Sequence, residues 1–232
     1  MVKAVLERVS SSAHARETLT PLSAIRKRAA KVSNLWIFDS PKNNRRLTVS
    51  GDVPFMHLML LEGDTGVAGY ELVDDPFKVA SNSDAGYVRV RSRDGAEHWI
   101  VIARSGRSSS GKESDPSIPE GLREKASSAG VEVHARSELE LLGKEVFLDN
   151  WLMLCAIMTR VKAYPTYRET ELFLALMSRH GALRVQDVLA DARADRSIML
   201  AVVARALQEG TVHTDLTRRL FGTHSQLERV RS

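Results

Sequence analysis

The side chains best suited to chemistry in this 232-residue chain are its arginines and lysines, and the chemistry they suit is the clamping of phosphate. Arg26, Lys27 and Arg28 form a run near the N-terminus. Arg193, Arg196 and Ser197 sit together further on, Arg205 follows at helical spacing, and Arg218 and Arg219 stand side by side in a polar turn. Guanidinium and ammonium groups neutralise backbone phosphates and release counterions, which gives affinity independent of base sequence; an arginine at a helix start can also read guanine with two parallel hydrogen bonds. Asp187, Asp191 and Asp195 interleave with these arginines, so a protein partner in place of DNA stays open.

Other chemistries have weaker patterns. His14, His57, His98, His134, His180, His213 and His224 show neither HExxH nor His-x-His spacing, and no metal centre is predicted from them. Gly106, Gly111 and Lys112 fit a phosphate-binding loop loosely, but Glu113 stands where a hydroxyl would have to reach magnesium. Cys155 is the only cysteine, so it can form neither an internal disulfide nor a cysteine zinc site; it reads as a buried thiol in a reducing bacterial cytoplasm. Met153, Met158, Met177 and Met199 lie among helical apolar residues and read as core filler.

The distribution of charge sharpens the phosphate reading. Residues 1–46 hold ten Lys/Arg against three Asp/Glu, residues 47–159 hold 11 against 18, and residues 160–232 hold 12 against eight. Two basic ends flank an acidic middle, as expected if the ends face an anionic polymer. With 43% hydrophobic residues the chain can bury a core. Its longest apolar run, Trp151 to Met158, is far below the roughly 20 residues of a membrane-spanning helix, and the N-terminal MVKAVLERVSSSAHARE has no unbroken apolar stretch of the kind a secretory signal requires. No membrane association is expected.

These side chains need elements to position them. Residues 1–45 read as a basic arm, with Leu35 to Phe38 as a short apolar lead-in and Ser40 to Arg46 as a polar turn. In the second unit, 46–162, a helix starts at Asp52, which can cap it, with Pro54 in its first turn, and ends near Glu62 to Asp64. Strands are predicted at Val67 to Val73, Pro76 to Ala80, Tyr87 to Arg91 and His98 to Ala103, with an Asp94-Gly95 turn between the last two. The Ser- and Gly-rich stretch 105–119 reads as a mobile loop, followed by a helix over Glu120 to Ser128 and a strand over Val131 to His134. That step implies a crossover between parallel strands, hence a mixed α/β sheet with flanking helices. A helix over Trp151 to Val161 closes the unit.

The last unit, 163–232, is mainly helical. Thr166 and Glu169 form a capping-box pattern before a helix that stops at Gly181; further helices span Val185 to Leu189 and Arg196 to Glu209; a short strand covers Thr211 to Leu216, and Thr217 to Leu220 reads as a wing. This order fits a winged helix-turn-helix whose third helix would be the recognition element.

Taken together, the chain resembles the endonuclease subunit of heteromeric transposases, the TnsA family, which joins a restriction-endonuclease-like domain to a C-terminal winged helix. The matching stretches are LLEGDTGVAGYELVDDPFKV (Leu60 to Val79), YVRVRSRDGAEHWIVIAR (Tyr87 to Arg104), LREKASSAGVEVHARSELEL (Leu122 to Leu141) and the helical segments ELFLALMSRHG and ARALQEGTVHTDL. The resemblance implies a metal site formed by a Glu on the first helix, an Asp at the hairpin start and an acid or amide two residues before a Lys. Those positions fall at Pro54, Tyr87, Ile102 and Arg104 in this chain, and the first three cannot ligate a hard cation. The expectation is therefore a nuclease-like fold without nuclease chemistry or cofactor: an accessory or regulatory protein of a mobile element that binds double-stranded DNA and works beside a transposase or another element protein. Two alternatives stay open, an active magnesium-dependent nuclease with a site displaced to Asp52, Asp84 and Glu97, and an interaction module without DNA binding.

Overall fold

A computed structural model describes residues 34–73, 86–103, 106–107, 113–114 and 118–230. The first elements are β1 (Leu35–Ser40) and β2 (Arg45–Ser50), an antiparallel hairpin that pairs Phe38 with Leu47 and Trp36 with Val49. The sequence reading ended a basic arm at residue 45 and treated 35–38 as a lead-in. The hairpin instead belongs to the core, because its alternation turns Trp36 and Phe38 inward onto Phe55 while Leu47 and Val49 are buried. Trp36 stacks on Phe55 with ring centroids 4.2 Å apart. Such a pair adds about 0.5–1.5 kcal/mol beyond the area it buries.

Helix α1 (Asp52–Gly63) is apolar on nearly every side and is buried from Val53 to Met59, as a helix at the centre of a layered fold must be. Its N-cap is Gly51, at φ 93°, not Asp52. Asp52 is occupied otherwise: its Oδ1 accepts from Asn34 Nδ2 at 2.6 Å and Trp36 Nε1 at 2.9 Å, fixing the hairpin to the helix start.

Four strands form the main sheet: β3 (Val67–Val73), β4 (Gly86–Ser92), β5 (Glu97–Ile102) and, after the crossover, β8 (Glu132–Arg136). The order is β3-β4-β5-β8; the first three are antiparallel, and β5 runs parallel to β8 with Ile100 opposite His134. The crossover contains a small hairpin of β6 (Gly106–Arg107) and β7 (Glu113–Ser114), then α2 (Glu120–Ala129), which ends at Gly130. The mixed sheet flanked by helices is thus present as anticipated. The strand expected at 76–80 lies outside the described residues. Val88, Val90, Ile100 and Ile102 are buried, while Leu122 and Ala126 of α2 are buried against the sheet lobe.

A short 3-10 turn (Glu138–Leu141) leads into α3 (Glu145–Arg160), which starts six residues earlier than its apolar run alone suggested. Its buried face carries Leu148, Trp151, Leu154, Cys155 and Met158; Met153, expected inside, is 38% exposed. Helix α3 packs against α1 on one side and, on the other, against the helical lobe formed by α4 (Tyr167–His180), β9 (Ala182–Arg184), α5 (Val185–Leu189), α6 (Arg196–Glu209), β10 (Val212–His213) and β11 (Gln226–Arg229). The three short strands pair antiparallel in the order β10-β11-β9. The anticipated capping box at Thr166 is absent: the Thr166 side chain makes no cap, and Glu169 is buried and accepts from the Asp195 amide at 3.2 Å, tying α4 to the start of α6. One continuous hydrophobic core runs from Leu47 in the hairpin to Leu227 in β11. Among the described residues no helix is long and apolar enough to cross a membrane.

Candidate nucleic-acid interface

The place where the resemblance would put metal ligands is apolar. Gly86 pairs with Ile102 across β4 and β5, and a Cβ on Gly86 would lie 3.3 Å from Pro54 Cβ and 3.9 Å from Ile102 Cβ. Pro54 and Ile102 are buried. Gly86, not Tyr87, is therefore the β4 residue that meets the other two. Tyr87 sits one position along the strand and lines a pocket on the other face with Trp99, Leu122 and Lys125, because successive strand side chains alternate. Magnesium takes oxygen ligands, and this trio supplies no side-chain oxygen, so the residues present do not fit the metal.

The displaced acids do not repair this. Asp52 is bonded to Asn34 and Trp36, while Glu97 accepts from Trp99 Nε1 at 2.8 Å and lies 3.8 Å from Arg89. Asp84 and Arg104 lie outside the described residues. Among the described residues no three His, Cys, Asp or Glu side chains come together as a metal-ligand group.

The two lobes are joined through a buried carboxylate that sequence reasoning did not single out. Glu62, at the C-terminal end of α1, is fully enclosed. Its Oε1 accepts from Tyr70 Oη at 2.6 Å and, more closely, from Ser40 Oγ; its Oε2 accepts from the Lys42 amide at 3.2 Å and Gln208 Nε2 at 2.8 Å. Burial and the neighbouring Glu62 carboxylate push the Tyr70 hydroxyl well above its ordinary range, which keeps it a donor. Lys42 donates Nζ to the carbonyls of Asp64 and Val67, and burial lowers its pKa to about 8 against the pull of Glu62 and Asp64. Across the same joint Arg205 donates to the Pro41 carbonyl at 3.1 Å and to Gln208 Oε1 at 3.1 Å. Arg205, expected on a DNA-reading face, is committed to the turn of the first hairpin.

Helix α6 itself is largely covered. Met199, Ala201 to Ala204 and Ala206 to Gln208 are buried, because α3, α4 and α5 all pack on it. Apart from Arg205 and Glu209, its exposed residues lie in the first turn, where Asp195 caps by accepting from the amides of Ser197 at 2.8 Å and Ile198 at 3.0 Å, leaving Arg196 and Ser197 at the surface. Arg193 is also exposed, but it is held in a bidentate pair with Asp191, at 2.9 and 2.6 Å. The Arg193 guanidinium beside it holds the Asp191 carboxyl at about 2.

Arg218 and Arg219 are exposed in the loop between β10 and β11. That loop is pinned from below by Asn150 of α3, a fully buried amide that donates Nδ2 to the carbonyls of Leu216 at 2.9 Å and Arg219 at 2.8 Å and accepts from the Phe221 amide at 2.7 Å. Asp215 then turns the chain by accepting from the amides of Thr217 and Arg218. The two arginines thus stand on backbone fixed to the sheet lobe. A lone Asn in an otherwise apolar helix face was the available sequence signal for this anchor. Arg26, Lys27 and Arg28 lie outside the described residues. Comparison with known proteins finds no matching family model and no similar characterised sequence.

Proposed function

We propose that this chain is a non-catalytic DNA-binding accessory protein of a mobile genetic element, in which a winged helix and a basic N-terminal segment grip duplex DNA and a restriction-endonuclease-like sheet lobe serves as scaffold for a transposase or another element protein. The observation that carries the non-catalytic part is the meeting of Pro54, Gly86 and Ile102, an apolar contact where a nuclease of this plan needs carboxylates. The helix, three antiparallel strands, crossover helix and parallel strand support the scaffold reading; the helix, strand, two helices and two strands of the helical lobe support the winged one. The exposed, anchored Arg218 and Arg219 support DNA over partners that are not polyanions.

The covered middle of α6 favours a second reading, a protein-docking lobe, since most of that helix is buried and its exposed Arg205 is bonded to the Pro41 carbonyl. Salt-dependent duplex binding separates the two. The full chain should bind duplex DNA of arbitrary sequence with log K falling linearly with log salt, and supercoiled plasmid should remain intact in magnesium or manganese. Replacing Arg218 and Arg219 by Ala should flatten the salt dependence by about one to two units, since each phosphate contact contributes about 0.9. Plasmid nicking lost on substitution of Asp52, Asp84 or Glu97 would overturn the non-catalytic reading, and absence of duplex binding at low salt would favour the docking lobe.

A further inference from the structure

Between β9, β11 and the loop joining β10 to β11 lies an open cleft of about 660 Å³. Its basic side chains approach from separate walls: Arg184 from the end of β9, His213 from β10, and Arg219 and His224 from the loop. Two carboxylates share the lining, and both are engaged. Asp215 accepts from the Thr217 amide at 3.2 Å, the Thr217 hydroxyl at 2.9 Å and the Arg218 amide at 3.1 Å; Glu228 lies 3.2 Å from His213 Nε2 and 3.4 Å from Gln226 Nε2. Arg184, Arg219 and His224 are exposed, and among the described residues none of their side chains forms an ion pair with a carboxylate; the Arg184 amide donates to Asp187 Oδ2 at 3.2 Å.

The backbone that carries these groups is fixed. Val185 donates its amide to the Ser225 carbonyl at 3.0 Å and Gln186 to that of Thr223 at 2.8 Å, locking the far end of the loop to the start of α5, while Asn150 holds the near end at Arg219. Basic side chains converging from different directions on a preformed hollow match the tetrahedral oxygens of a phosphate better than the planar edge of a base, and the charged arginine donors make the stronger hydrogen bonds to such an anion. Arg218 continues the cationic surface beside the cleft, so a chain of phosphates engages more of it than an isolated ion does.

We infer that this cleft seats a backbone phosphate of duplex DNA, held by Arg184, Arg219 and His224, and that it, more than the covered helix α6, sets the register of the C-terminal lobe on the duplex. The inference rests on the DNA-binding reading above and adds Arg184 and His224 to it. The test uses the full chain and a duplex of arbitrary sequence across a salt series, comparing the unaltered protein with Arg184→Ala, Arg184→Lys and the double variant Arg184→Ala with His224→Ala. The double variant should weaken binding by roughly fivefold or more at low salt and lower the salt slope by about 0.9, the contribution of one phosphate contact, whereas Arg184→Lys should keep the slope. Both positions are exposed, so thermal unfolding should be unchanged. If the unaltered protein binds DNA and the double variant matches it in affinity and slope, the cleft is not a phosphate seat, while the DNA-binding reading stands. If the unaltered protein fails to bind at low salt, both fall. Loss confined to particular sequences would place Arg184 at a base edge instead. Displacement of DNA by millimolar inorganic phosphate beyond that produced by chloride at matched ionic strength would make the cleft a free-anion site and overturn the assignment to the DNA backbone.

Discussion

Gln208, one residue before the end of α6, donates Nε2 to the Oε2 of Glu62 at 2.8 Å and to its carbonyl at 3.3 Å, so one buried amide links the last described helix to α1. Glu62 is completely enclosed and its remaining partners come from the hairpin and β3. Replacing Gln208 by Leu keeps the volume but removes a donor from a buried carboxylate, a loss of about 1–3 kcal/mol or more. Because the hydrophobic core is continuous across the joint, denaturant unfolding of the variant should remain a single transition shifted to lower midpoint. Two separate transitions would show that the lobes unfold independently and that the joint is only a contact.

Asn150 makes the other tie, with three hydrogen bonds to the loop at Leu216, Arg219 and Phe221. Substitution by Leu strands two carbonyls and one amide, a cost of about 3 kcal/mol or more. Hydrogen exchange at the Phe221 amide should accelerate well beyond the change in global stability, since that proton has lost its acceptor. Equal protection in both proteins would mean that the loop is held by other contacts.

His57 gives the chain a pH dependence. It is buried on α1, its Nε2 donates to the Ser137 carbonyl at 2.9 Å, and its Nδ1 has no partner among the described residues. Burial lowers its pKa from 6.5 to about 4, aided by Arg136 and Lys144 against the Ser137 carbonyl. The folded state therefore resists a proton that the unfolded chain accepts below pH 6.5. Stability from this group is complete above about pH 6.5 and is lost progressively down to about pH 4, by about 3 kcal/mol in all. His57→Gln should remove that component from a series of unfolding free energies between these pH values; a variant that loses stability over the same window as strongly as the parent would assign the effect to other groups.

The sequence was most legible where pattern and punctuation agreed. Val185 to Leu189 and Arg196 to Glu209 were found at their observed bounds, because an apolar stripe is bracketed by Asp195 at one end and Gly210 at the other. The crossover was equally readable, since Gly130 separates a helical period from a strand period. The hairpin at Leu35 to Ser50 was missed: Leu35 and Ile37 face outward, so the apolar run looked like a loose segment, and only the partner Phe55 explains why Trp36 and Phe38 turn in. The joint at Glu62 had no local signal. Its partners Ser40, Tyr70 and Gln208 are up to 146 positions away in sequence, and a Glu before a Gly at a helix end reads as a solvated cap until the packing encloses it.

The strongest electrostatic element predicted from sequence precedes the described residues. Positions 1–33 contain seven Lys/Arg and two Asp/Glu, while the 47–159 segment is acidic, so the N-terminal segment has two competing anionic partners. Exposed ion pairs within a protein contribute about 0–1 kcal/mol each, whereas duplex DNA presents one negative charge per roughly 1.7 Å and releases condensed counterions on contact, so DNA should win the competition. Removing residues 1–33 leaves the hairpin, α1 and their aromatic contacts in place, since these begin at Asn34. The truncated protein should accordingly unfold at the same midpoint and bind duplex DNA at least about tenfold more weakly at low salt, a loss on the order of 1.4 kcal/mol that shrinks as salt rises. Unchanged affinity at low salt would show that the segment does not touch DNA, and would shift the basic N-terminus to the role of a protein-docking arm.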